Sequence, residues 1–146
     1  MSAIETGADG IPVLAGRSLS HAEAVHLAES YVAAYNDRDL DAMLALQHER
    51  VVSYPSPLFT LRRLTGHEGV RAWWEAMVLS GRWYEVAVHD IRELGPDRVV
   101  ILGEIRDRGE RLSPWGVVVR VRNGLIIESH SYLSDEELLD ELGLLR

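Results

Sequence analysis

The segment RLSPWGVVVRVRNGLIIESHSYL, residues 111–133, decides how most of this chain folds. Two runs rich in apolar and β-branched residues, 111–122 and 125–133, are separated by Asn123-Gly124. This dipeptide is the strongest short signal for a β-hairpin, because both residues tolerate the positive φ that a type I′ turn demands. The segment therefore predicts two long antiparallel strands joined by a tight turn.

Further strands precede this hairpin. Residues 83–94 and 98–106 have the composition of strands, and the sequence Gly-Pro-Asp at 95–97 between them is a turn signal. Shorter strand signals lie at 51–54, where prolines follow, and at 58–64. Because consecutive long strands joined by tight turns form a meander, the sheet is expected to be largely antiparallel.

Helices are indicated by their N-terminal signals. The patterns S-x-x-E at 20–23, T-x-x-E at 65–68 and S-x-x-E at 134–137 have the form of a capping box. Asp39 can cap one further short helix. The predicted order is therefore α-α-β-β-α-β-β-β-β-α, an α+β arrangement in which helices from the first half of the chain cover one face of the sheet.

Length and patterning indicate a single domain. The chain has 146 residues, close to the usual size of one domain, and it contains no internal repeat or linker. Residues 1–17 include several glycines and show little periodicity, so we expect a flexible N-terminal arm followed by one domain over 18–146. No signal peptide and no membrane-spanning run are visible. We expect a cytoplasmic protein.

Composition excludes several kinds of function. With 15 basic against 23 acidic residues and a net charge of −8, nucleic acid and anionic membranes are not expected partners. Cysteine is absent and every basic residue is arginine, which excludes disulfides, thiolate nucleophiles and lysine Schiff bases. No histidine pair has the spacing of a metal site. We therefore expect neither a metal nor an organic cofactor.

The order of elements and several short motifs resemble the nuclear transport factor 2-like superfamily and, within it, the SnoaL-like proteins. The sequences YVAAYN at 31–36 and DLDA at 39–42 look like the family's first helix and the junction after it. GHEGV at 66–70 looks like the entry to its third helix, and NGLI at 123–126 looks like its hairpin. The resemblance covers residues 20–143 and implies a curved, mostly antiparallel sheet wrapped round N-terminal helices to form a cone with a pocket.

That resemblance does not by itself give a function. The family includes isomerases, cyclases, epoxide hydrolases, dehydratases and proteins without catalysis. The base of ketosteroid isomerase falls on Tyr54, and the essential aspartate of SnoaL-type cyclases and limonene epoxide hydrolase falls on Ser131. Tyrosine is a poor base at neutral pH, and serine cannot replace a carboxylate without its own activator.

The resemblance and elimination together yield candidate catalytic residues. Tyr31 falls on the family's oxyanion-binding tyrosine, and it is either a hydroxyl donor in the pocket or a core aromatic. Asp107 is the remaining carboxylate near the mouth of the cone, and His89 could pair with it for acid–base work. The alternative for Asp107 is an ordinary solvated aspartate in a turn.

Other residues are expected to bind the ligand. Tyr54, Trp74, Trp115 and Ser131 should line the pocket, although spacing cannot choose between Trp73 and Trp74 for that position. Because side chains alternate along a strand, we expect one set to face inward (Val52, Tyr54, Val117, Val119, Ser129, Ser131) and another outward (Glu104, Arg106, His130).

Two functions from different classes remain open. The first is an enzyme that acts on a small, largely apolar molecule by cofactor-free acid–base chemistry, such as isomerisation, cyclisation, dehydration or hydration. It needs an inward carboxylate or histidine within reach of another polar group. The second is a non-catalytic ligand-binding or dimerisation module, which needs only an apolar cavity with a few polar groups. Apolar residues of both parities over 99–105 also predict a homodimer.

Overall fold

The helices and strands of this computed structural model begin and end close to where the turn and capping signals place them. The structure describes residues 4–6, 12–14, 19–55, 63–81 and 83–133. In chain order the described elements are β1 (Ile4–Thr6), β2 (Pro12–Leu14), α1 (His21–Asn36), α2 (Leu40–Ala45), β3 (Gln47–Tyr54), β4 (Leu64–Thr65), α3 (Gly66–Ser80), β5 (Glu85–Leu94), β6 (Arg98–Asp107), β7 (Glu110–Arg122) and β8 (Leu125–Tyr132).

Strands β3 to β8 form one six-stranded sheet in the order β4-β3-β8-β7-β6-β5. The meander from β5 to β8 is antiparallel throughout, as predicted. Strand β3 returns to lie parallel to β8. The sheet is curled, unclosed and mostly antiparallel, and with the helices it forms the expected α+β cone. β1 and β2 form a separate antiparallel pair.

The predicted turn between β7 and β8 is confirmed. Asn123 has φ 51° and Gly124 has φ 79°, the two positive values that a type I′ turn requires. The turn sets the pairing beside it, in which Arg122 lies opposite Leu125, and a register shift between Arg120 and Val121 then places Val117 opposite Ser131. The turn and this shift together determine which side chains of β7 and β8 share a face.

Two of the predicted caps are made and one is not. Ser20 forms both halves of its capping box with Glu23, at 3.1 and 3.2 Å, and begins α1. The Asp39 carboxylate accepts from the Ala42 amide at 3.0 Å and begins α2. Thr65 is the N-cap residue of α3 but makes no side-chain cap hydrogen bond. The helix at that site therefore forms without the predicted capping box.

The main core lies between the helices and one face of the sheet. Ala24 and Ala28 of α1 pack with inward residues of the central strands, among them Ile101, Val117 and Val119. These side chains are at most 1% exposed. The inward orientation predicted for the two valines of β7 is therefore confirmed, and the wide, branched side chains set the spacing between α1 and the sheet.

A hydrogen-bonded amide joins the end of α1 to the edge of the sheet. The Asn36 Nδ2 donates to the Val86 carbonyl at 2.8 Å, and the Val86 amide donates to the Asn36 Oδ1 at 2.9 Å. Strand β5 has no strand beyond it in the sheet described here. The Asn36 side chain thus pairs with one residue of this edge strand as a neighbouring strand would.

Some predictions fall on other parts of the chain. The capping box at 134–137 and the final helix lie outside the described residues, as does most of the strand predicted at 58–64. The strands β1 and β2 belong to the expected N-terminal arm, and β2 contacts β7. The division into an arm at 1–17 and a domain at 18–146 stays a prediction. Within the described ranges, no helix is long and apolar enough to cross a membrane.

Candidate functional site

A cavity of about 80 Å³ lies between the helices and the sheet, and α1, α2 and α3 each contribute to its wall. Most of the wall is apolar. The aromatic lining residues are Tyr31, Tyr35, Trp73, Tyr84 and Trp115, and the aliphatic ones are Val32, Met43, Pro55, Leu64, Val70, Val86 and Ile105. Such a surface gains free energy by contact with apolar atoms of a ligand.

The polar part of the wall is neutral. Its side chains carry three serine hydroxyls, one amide, the phenols of the tyrosines and the indole N–H groups of the tryptophans. The serines are Ser53, Ser129 and Ser131, and the amide is that of Gln47. Among the described residues, no carboxylate, histidine or arginine lines the cavity. A group that is charged near pH 7 is therefore missing from this part of the wall.

A cluster of hydroxyls crosses the cavity wall from strand to helix. Because β3 is parallel to β8 with Ser53 opposite Ser129, their Oγ atoms meet at 2.6 Å. The Ser129 hydroxyl also hydrogen-bonds the Tyr31 phenol on α1. We call Tyr31, Ser53 and Ser129 the hydroxyl cluster. Each hydroxyl can donate and accept, so the cluster can hold either kind of neutral polar group.

Burial keeps the Tyr31 phenol in its neutral form. Desolvation raises the pKa of Tyr31 from 10.0 to about 12, and the hydrogen bond with Ser129 opposes this only in part. Water is a better solvent for a phenolate than the apolar wall is. At neutral pH the Tyr31 hydroxyl is therefore a hydrogen-bond donor or acceptor and not a base.

Tyr35 lies one helical turn after Tyr31, in an aromatic group. Its ring stacks on Trp83 with centroids 5.0 Å apart, and the Trp83 Nε1 donates to the Tyr35 carbonyl at 3.0 Å. The Arg38 guanidinium lies 5.5 Å from the centre of the Trp83 ring. Desolvation raises the pKa of Tyr35 to about 12, with the nearby Tyr31 adding to the effect and Arg38 opposing it.

Gln47 supplies the amide of the wall. It begins β3 and is only 6% exposed. Its backbone carbonyl is hydrogen-bonded to His67 Nε2 at 2.9 Å. Its side-chain Oε1 is buried and has no hydrogen-bond partner among the described residues. A buried, unpaired carbonyl oxygen of this kind is uncommon in proteins.

Three of the predicted site residues meet in the cavity. Tyr31 from α1, Trp115 from β7 and Ser131 from β8 all line it. Trp115 and Ser131 were placed inward because they share parity with the inward residues of their strands, and Tyr31 because it lies on the apolar stripe of α1. Their roles in binding or catalysis stay predictions.

Tyr54 was expected to face the cavity, and that orientation is wrong. Its ring stacks on His130, with centroids 4.3 Å apart and 15° between the planes, and His130 is on the outer face as predicted. Gln47, Val51 and Ser53 face the interior. Because side chains alternate along a strand, Val52 and Tyr54 lie on the opposite face.

The choice between the two adjacent tryptophans of α3 is also decided by the structure. Trp73 lines the cavity. Trp74, the one expected there, is 5% exposed and packs with Ala34 and Met43 in a small core cluster. Successive residues on a helix point about 100° apart, so only one of the two can face the cavity.

Asp107 and His89 are not brought together. Asp107 is exposed at the end of β6, where it pairs with Glu110 across a turn, and it does not line the cavity. The predicted inward position fails because Asp107 ends β6 beside the turn, two residues beyond Ile105, which lines the cavity. Asp107 is exposed and lies next to the turn, as expected for the alternative of a solvated turn aspartate.

The partner of His89 is Glu104. The His89 Nε2 lies 2.6 Å from the Glu104 Oε1, and Arg106 Nε lies 3.0 Å from the other carboxylate oxygen. These side chains share the outer face, as predicted for Glu104 and Arg106. The hydrogen bond from His89 holds the pKa of Glu104 below its usual range, and the charges of Arg106 and Arg111 act in the same direction.

Several wall residues were not singled out from the sequence. Ser53 and Gln47 have the parity opposite to that of Val52 and Tyr54, the residues of β3 that were predicted to face inward. Ser129 was predicted to face inward, but its hydrogen bonds depend on the pairing of β3 with β8. Tyr35 recurs four residues after Tyr31 on one face of α1, a signal that could have identified it.

No metal centre is built from the described residues. Within them, no group of three or more histidine, cysteine, aspartate or glutamate side chains could hold an ion. The chemistry available from the described wall is therefore hydrogen bonding by neutral groups and apolar contact. A hydroxyl cluster in an apolar, partly enclosed cavity can orient a ligand that carries a neutral oxygen or nitrogen group.

Comparison with protein families agrees with this architecture. A sequence profile of the SnoaL-like domain matches residues 28–129, which run from the middle of α1 into β8. The chain belongs to the SnoaL-like family. No significant match is found among the curated proteins. Membership in the SnoaL-like family therefore gives the fold of this chain, while the site must be argued from its own residues.

Solved structures share the fold of this SnoaL-like chain. A SnoaL-like protein of unknown function from Burkholderia thailandensis is 21% identical, with a TM-score of 0.66, over 81% of this chain and 99% of that one. A protein provisionally named a polyketide cyclase, from Xanthomonas campestris pv. campestris, is 25% identical, with a TM-score of 0.57, over 83% and 97%. TerC, co-crystallised with polyporic acid, is 22% identical, with a TM-score of 0.63, over 81% and 96%.

Proposed function

We propose that this SnoaL-like protein binds a small, largely apolar molecule in the cavity and holds a neutral polar group of that molecule against the hydroxyl cluster. The observation that carries the proposal is the character of the described wall. It is aromatic and aliphatic around three linked hydroxyls, Tyr31, Ser129 and Ser53. A carbonyl or hydroxyl group is the partner that such a cluster accommodates.

The same wall disfavours a charged ligand. Moving an ion from water into an apolar site costs a great deal unless an opposite charge compensates it. The described lining residues offer no such charge, since their polar groups are phenols, hydroxyls and an amide. The binding free energy would come from burial of apolar surface, and the hydroxyl cluster would set the orientation.

The solved structures offer limited support for this proposal. TerC has the same fold and was co-crystallised with polyporic acid. A small-molecule complex is therefore known for one protein of this fold. The low identity transfers no ligand to this chain, and the proposed ligand class rests on the wall described above.

Catalysis is a second candidate, and the neutral Tyr31 phenol is the observation that favours it. A protonated phenol in a desolvated site can donate to an oxygen atom that gains negative charge during isomerisation or cyclisation. The acid–base pair expected from the sequence, Asp107 with His89, lies outside the cavity. A catalytic version of the proposal would therefore depend on Tyr31 and the two serines, without a base from the described wall.

Blocking the cavity tests the binding proposal. The protein is incubated with a metabolite extract, recovered, and read by mass spectrometry for retained small molecules. Ser131→Phe places a bulky ring into the cavity and should abolish retention. Val78→Phe introduces the same ring on α3, where Val78 is 57% exposed, and should retain the ligand. Equal retention by the two variants would contradict binding in this cavity.

Two further expectations stay proposals for this chain. We propose a homodimer, because the outer face of the sheet carries apolar side chains, including Leu102 and the exposed Leu112.

We also keep the predicted cytoplasmic location, which localisation of a tagged chain in cells can test. Nucleic acid is not proposed as a partner, since the net charge is −8.

A further inference from the structure

Gln47 brings a buried amide to the wall of the cavity. It lines the cavity, is 6% exposed, and its Oε1 atom has no hydrogen-bond partner among the described residues. Bulk solvent does not reach this atom. A molecule held inside the cavity can supply the missing hydrogen-bond donor.

The position of Gln47 does not depend on its amide. Its backbone carbonyl is hydrogen-bonded to His67 Nε2 at 2.9 Å, and its backbone lies opposite Ile126 in the β3–β8 pairing. The neighbouring Leu46 carbonyl accepts from the Ile126 amide at 2.9 Å. These contacts fix the start of β3 through main-chain atoms. An apolar side chain of the same length would keep all of them.

An unpaired buried carbonyl destabilises the protein relative to an apolar residue of the same shape. From this, and from the place of the amide in the wall, we propose that Gln47 determines ligand specificity by accepting a hydrogen bond from an N–H or O–H group of the bound molecule. The inference rests on the proposed binding function and narrows it. It says that the ligand is a hydrogen-bond donor as well as a largely apolar molecule.

The amide and the hydroxyl cluster bind different parts of the ligand. On β8, the register partner of Gln47 is Ile126, whereas the partner of Ser53 is Ser129. The two polar sites therefore lie at different levels of the cavity. Phenols, enols and hydroxylated or N–H-bearing rings have the required chemistry, since each joins a donor group to an apolar body.

Matched fragments and variants test this directly. Phenol and toluene have nearly the same shape but differ in the donor, and anisole carries an oxygen that only accepts. Dissociation constants for all three are measured by NMR titration on the wild-type chain, on Gln47→Met and on Gln47→Leu. Met43→Leu is the control, because it alters the apolar wall without altering its hydrogen-bonding groups.

We expect wild-type protein to prefer phenol over toluene, and the methionine variant to reduce that preference about 3- to 10-fold. The affinity for anisole should not depend on Gln47. Met43→Leu should change the phenol and toluene affinities together. The melting temperatures of Gln47→Met and Gln47→Leu should be unchanged or higher, because an unpaired oxygen has been removed.

Other outcomes overturn the inference, and they are distinguishable. An unchanged phenol-to-toluene ratio in both Gln47 variants, with binding retained, rejects the role of Gln47 and leaves the proposed function standing. A large fall in melting temperature with equal loss of both fragments shows that the amide is structural. Failure of wild-type protein to bind any of the three fragments contradicts the proposed function and the inference together.

Discussion

The Tyr31 hydroxyl sits where ionisation is unfavourable, so alkaline pH should report on it. Its pKa is about 12 in the folded protein and about 10 in an unfolded chain. The stabilisation is fully present below pH 10 and is lost as the pH rises through 12. The unfolding free energy of Tyr31→Phe should therefore decrease less than that of wild-type protein over this pH range, by at most about 2–3 kcal/mol.

Urea unfolding at pH 9, 10 and 11 measures this difference. Tyr35, whose pKa is also raised to about 12, will leave part of the alkaline loss in the variant. The comparison is therefore between the two slopes. Parallel slopes for wild-type protein and Tyr31→Phe would show that the Tyr31 phenol is more hydrated than the structure indicates.

Asp107 separates the binding proposal from the catalytic alternative. Because its carboxylate is exposed and outside the cavity wall, Asp107→Asn should leave ligand affinity unchanged and stability within about 0.5 kcal/mol. A general base at this position would instead cost about 10²–10⁴-fold in rate when removed. Once a ligand is identified, calorimetry and a turnover assay on this one variant distinguish the two.

The helix caps give a prediction at the scale of elements, with a control inside the same chain. Ser20→Ala removes a complete capping box from α1 and should lower the unfolding free energy by about 1 kcal/mol. Thr65→Ala changes an N-cap residue whose side chain makes no cap bond, and should cost much less. Denaturation of the two variants beside wild-type protein makes the comparison. Equal losses would mean that Thr65 caps α3 in solution.

Elements defined by local signals could be predicted from the sequence, and orientations that depend on pairing between distant strands could not. The Asn123-Gly124 turn predicts strands β7 and β8, but the inward position of Ser131 also depends on a shift in their pairing that the turn does not signal. Strand β3 pairs with β8, which is distant in sequence. Its inward residues have the parity opposite to that of Tyr54, and no local signal near Tyr54 indicates this parity.

The candidate site was predicted in part for the same reason. Tyr31, Trp115 and Ser131 line the cavity as predicted. The hydroxyl cluster forms only where α1, β3 and β8 meet. Gln47 was identified because its buried Oε1 atom has no hydrogen-bond partner among the described residues. Neither property is encoded in residue spacing. Adjacent tryptophans on α3 likewise needed the observed packing to tell them apart.

At the scale of the whole molecule, the outer face of the sheet is the surface through which we propose that two copies of the chain associate. Val100 and Val118 are 3% and 8% exposed within a single chain, so part of this face is already covered without a second copy. Leu112 remains 51% exposed. We expect a homodimer, with light scattering at micromolar concentration giving twice the 16.4 kDa chain mass. A clean 16.4 kDa species would show that the chain alone covers its apolar surface.

The amide that ties Asn36 to Val86 bears on how well the protein stays dispersed. An edge strand with free main-chain groups is a template on which another chain can add a strand, the first step toward fibrous aggregates. The Asn36 side chain is hydrogen-bonded to both the amide and the carbonyl of Val86. It therefore prevents another strand from pairing with this residue at the start of β5. Asn36→Ala should therefore aggregate faster than wild-type protein, as measured by turbidity under conditions in which both proteins are folded. A long shelf life of the native chain would then depend on one short side chain.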